Sequence, residues 1–282
     1  MAILQISYTD PAMILDPINS ITSIAFYRKV AAQSLGRTVG YLFYLATLFT
    51  LVTLLAVKVR IMPQVAGVFD WLGKSVPVLT FAGGKLSSAT PGPTILRHPA
   101  AQEVGVVIDT DRTEPVTPAM LEENKAIAYV TSNAFYIKRE TGRIEVQDFS
   151  KAAPPKPVVV DADFWKTAGE MIPYFMYPAA VLFTFPLFLF WKVFATALYM
   201  IMALLINALA QAQLDAKPLL NITVYAQTFL VALEMILLLI PAPVPLALQT
   251  LASFLITGTY IGLAVRSAAS AAPTAPPAAP AQ

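Results

Sequence analysis

The residue with the greatest capacity for chemistry in this sequence is a carboxylate inside an apolar run. Glu234 lies near the middle of FLVALEMILLLI, residues 229–240. A carboxylate at that depth of a bilayer costs about 3 kcal/mol, so we expect it to face other helices and to be protonated or paired. Its candidate partners are Lys192, Asn207 and Gln227. Glu234 is either a proton or cation site or a polar contact between helices, and the sequence leaves both readings open.

The role of Lys192 depends on the path of the chain. It follows Trp191 inside a long apolar region, residues 171–210. In a single long helix Lys192 is placed to pair with Glu234. In a hairpin it would instead extend its ammonium group to the membrane surface beside Trp191.

Other short motifs indicate structure more than chemistry. Gly258 and Gly262 form a GxxxG pattern, which lets helix backbones approach closely and predicts helix packing within the chain. The segment Asp109-Thr110-Asp111 lacks the glycine and distal glutamate of a calcium loop, so it predicts the end of a strand. His98 is the only histidine and cysteine is absent, which argues against a transition-metal site and a catalytic triad. We therefore expect no catalytic residues, no metal site and no cofactor.

The composition indicates a polytopic membrane protein. Of the 282 residues, 57% are hydrophobic and 13% are charged, about half the charged fraction of a typical soluble domain. The net charge of +2 is too small and dispersed for a nucleic-acid partner. The absence of cysteine excludes a disulfide framework and a thiolate site.

Four apolar runs are long enough to be membrane spans, which need roughly 20 residues. They cover residues 40–57, 171–210, 222–240 and 246–265. The second run is about 60 Å long as one helix, so it must tilt, protrude or break near Pro178 or Pro186. We expect a helical cluster over 171–265 with four spans in the whole chain. Five spans, with a hairpin at Trp191-Lys192, is the alternative.

Residues 58–170 differ in character and predict a small α+β domain that is mostly β. They carry 13 of the 19 basic and 13 of the 17 acidic residues. Gly83-Gly84 and Glu140-Thr141-Gly142 separate β-rich runs and predict hairpins. A short helix should begin at Pro118, and Asp161 or Asp163 should cap the helix that enters the next span.

The two ends predict orientation. Residues 1–39 should contain an amphipathic helix at the cytoplasmic membrane surface, while the Ala/Pro-rich residues 266–282 should be a disordered tail. Basic residues in short flanking segments stay in the cytoplasm, which with four spans places the β domain outside a bacterial inner membrane. The residues that set this orientation are Arg28, Lys29, Arg37, Lys217 and Arg266.

The order of these segments resembles a known family. The segments are FYRK at 26–29, PVLTFAGGKL at 77–86, PTI at 93–95 and VVIDT at 106–110. Over residues 20–265 they resemble the bacterial membrane family catalogued as domain of unknown function 1189, which includes a protein linked to maltodextrin utilisation. The last spans are also loosely similar to the Yip1 family. The resemblance implies an architecture and carries over no catalytic residue.

Three functions follow as hypotheses. The leading one is a non-enzymatic protein of the lipid bilayer whose extracytoplasmic domain contacts a protein partner or solute, in sensing, assembly or an accessory role. The alternative is a component of a transporter or channel that uses Glu234, and its four spans would require a homo-oligomer. An intramembrane enzyme is the third; it would need paired catalytic groups in the spans, where only Glu234 and Lys192 are available.

Overall fold

The computed structural model describes residues 11–139, 143–149, 154, 156–240 and 243–270. The chain forms two compact units: residues 1–60 with 177–282, and residues 61–176. A 3-10 helix over Pro11–Leu15 comes first, and a π-helix over Val57–Ile61 precedes the fourth helix. The α-helices are α1 (Asp16–Thr22), α2 (Phe26–Ala32), α3 (Leu35–Ala56), α4 (Met62–Ser75), α5 (Pro118–Glu123), α6 (Ala162–Leu209), α7 (Ala216–Ala226), α8 (Thr228–Leu239) and α9 (Leu246–Ala269).

Four helical stretches in the described residues are long and apolar enough to cross a membrane, and they identify a multi-pass membrane protein. They are Leu35–Ser75, Ala162–Leu209, Ala216–Leu239 and Leu246–Ala269. The prediction of four spans is confirmed to this extent. The five-span alternative is wrong, because α6 runs without a turn through Trp191 and Lys192. Pro178 and Pro186 also lie inside this helix and do not end it.

Several predicted boundaries change. The first helical stretch begins at Leu35 and continues to Ser75, so residues 58–75 are helical and the second unit opens with a helix. Lys58 and Arg60 end the apolar run without ending the helix, and Pro63 stands in the first turn of α4, where its missing N–H is tolerated. At the other end, α9 reaches Ala269, so the predicted tail cannot begin at 266. Residues 271–282 lie outside the described residues.

The N-terminal segment is not a single amphipathic helix. It forms α1 and α2, separated at residues 23–25, and both pack against the helices of their own unit. Tyr27 and Val30 are fully buried there. Both belong to one apolar cluster with residues of α7 and α9, whereas Ile18 on α1 stays 59% exposed.

The second unit contains two sheets. A five-stranded sheet has the order β3-β4-β5-β6-β7, with β4 and β5 parallel and the other pairs antiparallel, and a three-stranded sheet has the order β2-β1-β8. The predicted turn at Gly83-Gly84 is confirmed, with positive φ at both glycines. The hairpin predicted at 140–142 lies outside the described residues. The strands are β1 (Leu79–Ala82), β2 (Lys85–Ser88), β3 (Thr94–Arg97), β4 (Gly105–Asp109), β5 (Ala126–Thr131), β6 (Ala134–Lys138), β7 (Ile144–Asp148) and β8 (Val158–Val160).

Alternating side chains of the larger sheet fill two cores. Val107 and Tyr129 pack with Leu121 of α5 on one face. Leu96 and Ile108 face the other way and pack with Leu79 of the smaller sheet. The Tyr129 hydroxyl donates a hydrogen bond of 2.9 Å to Asp109 Oδ2. Burial, together with this acceptor and its negative charge, raises the pKa of Tyr129 to about 12.

This phenol makes the second unit sensitive to high pH. Below pH 10 the tyrosine is protonated in both states, and between 10 and about 12 the unfolded chain loses a proton that the folded chain keeps. The free energy of unfolding therefore falls with rising pH in this window. We expect Tyr129→Phe to remove part of that fall, measured as unfolding of both proteins at about pH 9 and about pH 11. Equal losses in the two proteins would contradict the assignment.

Candidate functional site

Lys192 and Glu234 meet inside the first of the two units, which we call the helical unit. The ammonium Nζ donates to both carboxylate oxygens of Glu234, at 3.1 Å to Oε1 and 2.9 Å to Oε2. The same Nζ lies 5.5 Å from the centre of the Phe188 ring. The Lys192 side chain is 3% exposed, whereas that of Glu234 is 34% exposed. The ammonium is thus enclosed by protein, and the carboxylate lies at the boundary of the helix cluster.

Helix α6 positions the lysine through one buried stripe. Its buried residues recur at helical spacing and put Lys192 on the same face as Thr196 and Tyr199. The Thr196 hydroxyl donates to the Lys192 carbonyl at 2.7 Å, and the Tyr199 hydroxyl is hydrogen-bonded to the Ser253 hydroxyl of α9. Polar groups on this stripe therefore link α6 to its neighbours, while the opposite face stays apolar.

The third candidate span is interrupted at Gln227, which separates α7 from α8. Its Nε2 donates to Thr196 Oγ1 at 2.8 Å and to the Thr223 carbonyl at 3.3 Å. Because a carbonyl accepts and never donates, this contact fixes which side-chain atom is the nitrogen. Gln227 Oε1 is buried and has no hydrogen-bond partner. The span predicted over 222–240 is thus interrupted about two turns before Glu234. The interruption carries a hydrogen-bond acceptor without a donor.

Two cavities flank the ion pair. The first, about 470 Å³, lies among α6, α8 and α9 and is lined by Lys192, Glu234 and Gln227 with Trp191, Ser253 and Phe254. The second, about 400 Å³, lies among α3, α6 and α8, and Lys192, Glu234 and Thr53 line it. Lys192 and Glu234 separate two spaces that are each large enough for several water molecules or a small polar group.

Other predicted residues lie elsewhere. Asn207 does not approach Glu234: its amide exchanges two hydrogen bonds of 3.1 Å with the backbone of Leu214, beyond the end of α6. A Cβ added at Gly258 would lie 3.0 Å from the sulfur of Met202 on α6, so this glycine permits close packing. A Cβ at Gly262 would meet nothing within 4 Å.

A second polar network, which the sequence analysis missed, joins the N-terminal segment to α3 and α7. Asp16 is 1% exposed, and its Oδ2 accepts from Arg37 Nη2 and from the Tyr225 hydroxyl, both at 3.2 Å. Buried Asn221 accepts from Thr38 at 2.7 Å and donates to the backbone carbonyl of Gln33 at 3.0 Å. In the sequence, Asp16 and Asn221 each stand next to apolar residues, and a polar side chain that is buried needs a hydrogen-bond partner. That combination could have located this network.

In the second unit the candidate residues have structural uses. Asp109 receives the Tyr129 hydroxyl, Asp111 accepts from the Gly92 N–H, and His98 Nδ1 accepts from the Ala100 N–H. Asp161 caps α6 by accepting from the Phe164 N–H at 2.9 Å, as predicted. Across the described residues no group of three or more His, Cys, Asp or Glu could hold a metal ion.

Comparison with known proteins places the architecture in a family. A model of the family described as "Protein of unknown function (DUF1189)" matches residues 17–265. No curated protein and no solved structure matches the chain. The similarity of the last spans to Yip1 proteins and the link to maltodextrin utilisation stay predictions. Because the match covers most of the sequence, from α1 to the last turns of α9, the chain belongs to the DUF1189 family.

Proposed function

We propose that this protein is a non-enzymatic multi-span protein of the bacterial inner membrane whose sheet-containing unit recognises a partner on the extracytoplasmic side, in sensing, assembly or an accessory role. The observation that carries the proposal is the open edge of the five-stranded sheet. Within the described residues β7 pairs with β6 on one side and with no strand on the other. An open edge offers backbone N–H and C=O groups to an added strand.

The exposure of β7 agrees with such a role. Four of its five residues are exposed, and Val146 keeps 54% of its surface accessible. Glu145 is paired with Arg139, so this charge is already compensated at the edge. The edge is therefore accessible and contains a central apolar side chain that a partner strand could cover.

Contacts within the helical unit support the proposed orientation. Arg28 on α2 donates to the Ser267 carbonyl at 3.1 Å, so basic residues near the N-terminus meet the end of α9. At the other end of the first apolar run, Arg60 Nη1 donates to the Leu238 carbonyl at 2.7 Å. An even number of spans puts both ends of the chain on one side, and the basic residues favour the cytoplasm.

Single cysteines test the orientation, since the native chain has none. We expect an impermeant thiol reagent to label Ser88→Cys in intact cells, and to label Thr22→Cys and Ala216→Cys, both at exposed positions, after permeabilisation. Ser20 is buried and is not used for labelling. Labelling of residue 22 or 216 in intact cells would contradict the proposed orientation.

Photo-crosslinking tests partner recognition. A benzophenone amino acid at Val146 should give one discrete adduct in cells. Ile127, which is 50% exposed on the interior strand β5, is the matched control. An adduct of equal yield from both positions, or none from Val146, would contradict edge recognition.

A transport role is the second candidate, favoured by the break at Gln227 beside the Lys192–Glu234 pair. Interrupted spans expose backbone and polar groups at ion and substrate sites in transporters. In this reading Glu234 is a coupling residue between the two cavities. Proteoliposomes with an internal pH dye should show a proton flux that Glu234→Gln abolishes, and an absence of flux in the native protein would reject this candidate.

A further inference from the structure

The cavity among α6, α8 and α9 offers acceptors at its buried end. Gln227, 2% exposed, has an Oε1 atom without a donor. Each Glu234 oxygen accepts one hydrogen bond from Lys192, which leaves further acceptor capacity on the carboxylate. Two of the three lysine donors are engaged with Glu234, and the aromatic face of Phe188 is also close to the ammonium. A ligand that completes this site must donate hydrogen bonds.

The charges at the site favour an uncharged ligand. Lys192 and Glu234 neutralise each other, so the polar end of the cavity has no net charge. A phosphate would face the Glu234 carboxylate, and a cation would face the Lys192 ammonium, both at low dielectric. Hydroxyl groups can donate to Gln227 and Glu234 without adding charge.

The mouth of the cavity is apolar and exposed. Trp191, Phe254 and Leu246 line it with 55%, 44% and 78% of their surfaces accessible. On a candidate membrane-spanning helix, such surfaces contact acyl chains. A volume of about 470 Å³ is within the range of small-molecule sites.

We propose that this cavity binds the uncharged, hydroxyl-bearing head of a membrane lipid, of which diacylglycerol is the simplest example. The free hydroxyl of diacylglycerol donates to Gln227 Oε1, and a head with a second hydroxyl also donates to the Glu234 carboxylate. The acyl chains leave past Trp191 and Phe254 along the exposed apolar surface. This site is separate from the sheet edge and does not depend on partner recognition there.

Brominated lipids test the proposal, because bromine quenches the fluorescence of Trp191 at the mouth. The full-length protein is placed in phosphatidylcholine nanodiscs with increasing brominated diacylglycerol. The fluorescence of Trp191 is followed as the difference between the native protein and Trp191→Phe. We expect saturable quenching. Gln227→Leu should raise the half-saturating mole fraction about tenfold, as for the loss of one hydrogen bond. The control Thr47→Val, on an exposed part of α3 outside the cavity, should leave it unchanged.

Other outcomes overturn the proposal. Quenching that rises linearly and equally in Gln227→Leu would mean contact with bulk lipid only. Equal saturation by brominated phosphatidylglycerol or phosphatidylcholine would mean that the site does not select an uncharged head. If Gln227→Leu does not fold, Ala195→Phe fills the same cavity from α6 and should abolish saturation.

Discussion

Replacing Glu234 with leucine should destabilise the helical unit by about 3–5 kcal/mol, because it leaves the Lys192 ammonium buried without a counter-charge. Lys192 is 3% exposed and cannot extend its charge to the surface. The reverse change, Lys192→Met, should cost about 1–3 kcal/mol, because the Glu234 carboxylate borders two cavities and keeps 34% of its surface. We therefore expect the loss of Glu234 to lower the free energy of unfolding more than the loss of Lys192, because the lysine is the more buried partner.

The double variant separates pairing from packing. Lys192→Met with Glu234→Leu removes both charges and should lie within about 1 kcal/mol of the native protein, since apolar replacement of a buried pair is often neutral. The free energy of unfolding in detergent, measured for all four proteins, gives the coupling energy. Additive losses in the double variant would show that the ion pair does not determine stability here, and equal losses in the two single variants would contradict the predicted effect of exposure.

Sequence patterns located the charges in the spans but not the geometry around them. The cost of burying Glu234 predicts a partner, and the length of the apolar run through Lys192 makes a single helix one of two possibilities. The contact itself depends on how α6 and α8 pack, which periodicity does not specify. The break at Gln227 was not predicted, because its hydrogen bonds to Thr196 Oγ1 and to the Thr223 carbonyl depend on how the helices pack.

Turns and strands depend on neighbouring residues more than helix packing does, so the second unit was easier to predict. Gly83 and Gly84 supply the positive φ that the turn needs, and the β-branched run of β4 forms an interior strand. The predicted start of this unit at residue 58 lies close to its observed start at residue 61, but the unit opens with the helix α4 and not with a strand. Lys58 and Arg60 end the apolar run, but the helix continues through them as a π-helix over Val57–Ile61. Arg60 there donates to the Leu238 carbonyl.

The Asp16 network was missed because its members are distant in sequence: Asp16 and Tyr225 are 209 residues apart. Amphipathicity of the N-terminal segment fits both a membrane surface and a protein surface. What distinguishes them is the carboxylate, which a lipid interface would leave solvated and which here is buried between Arg37 and Tyr225. The N-terminal segment should therefore depend on Asp16 for its attachment.

Asp16→Ala should cost about 3 kcal/mol, because it removes the ion pair with Arg37 and the acceptor of the buried Tyr225 hydroxyl. Arg28 and Lys29 have exposed side chains but stand in α2, and detachment of α1 and α2 would let the chain around them unfold into a trypsin site. Cleavage there should therefore accelerate along with the loss in unfolding free energy. Asp70→Asn is the matched control: its pair with Lys74 is exposed and should contribute under 1 kcal/mol. Unchanged cleavage in Asp16→Ala would mean that the apolar contacts of Tyr27 and Val30, which are both fully buried, hold the segment in place.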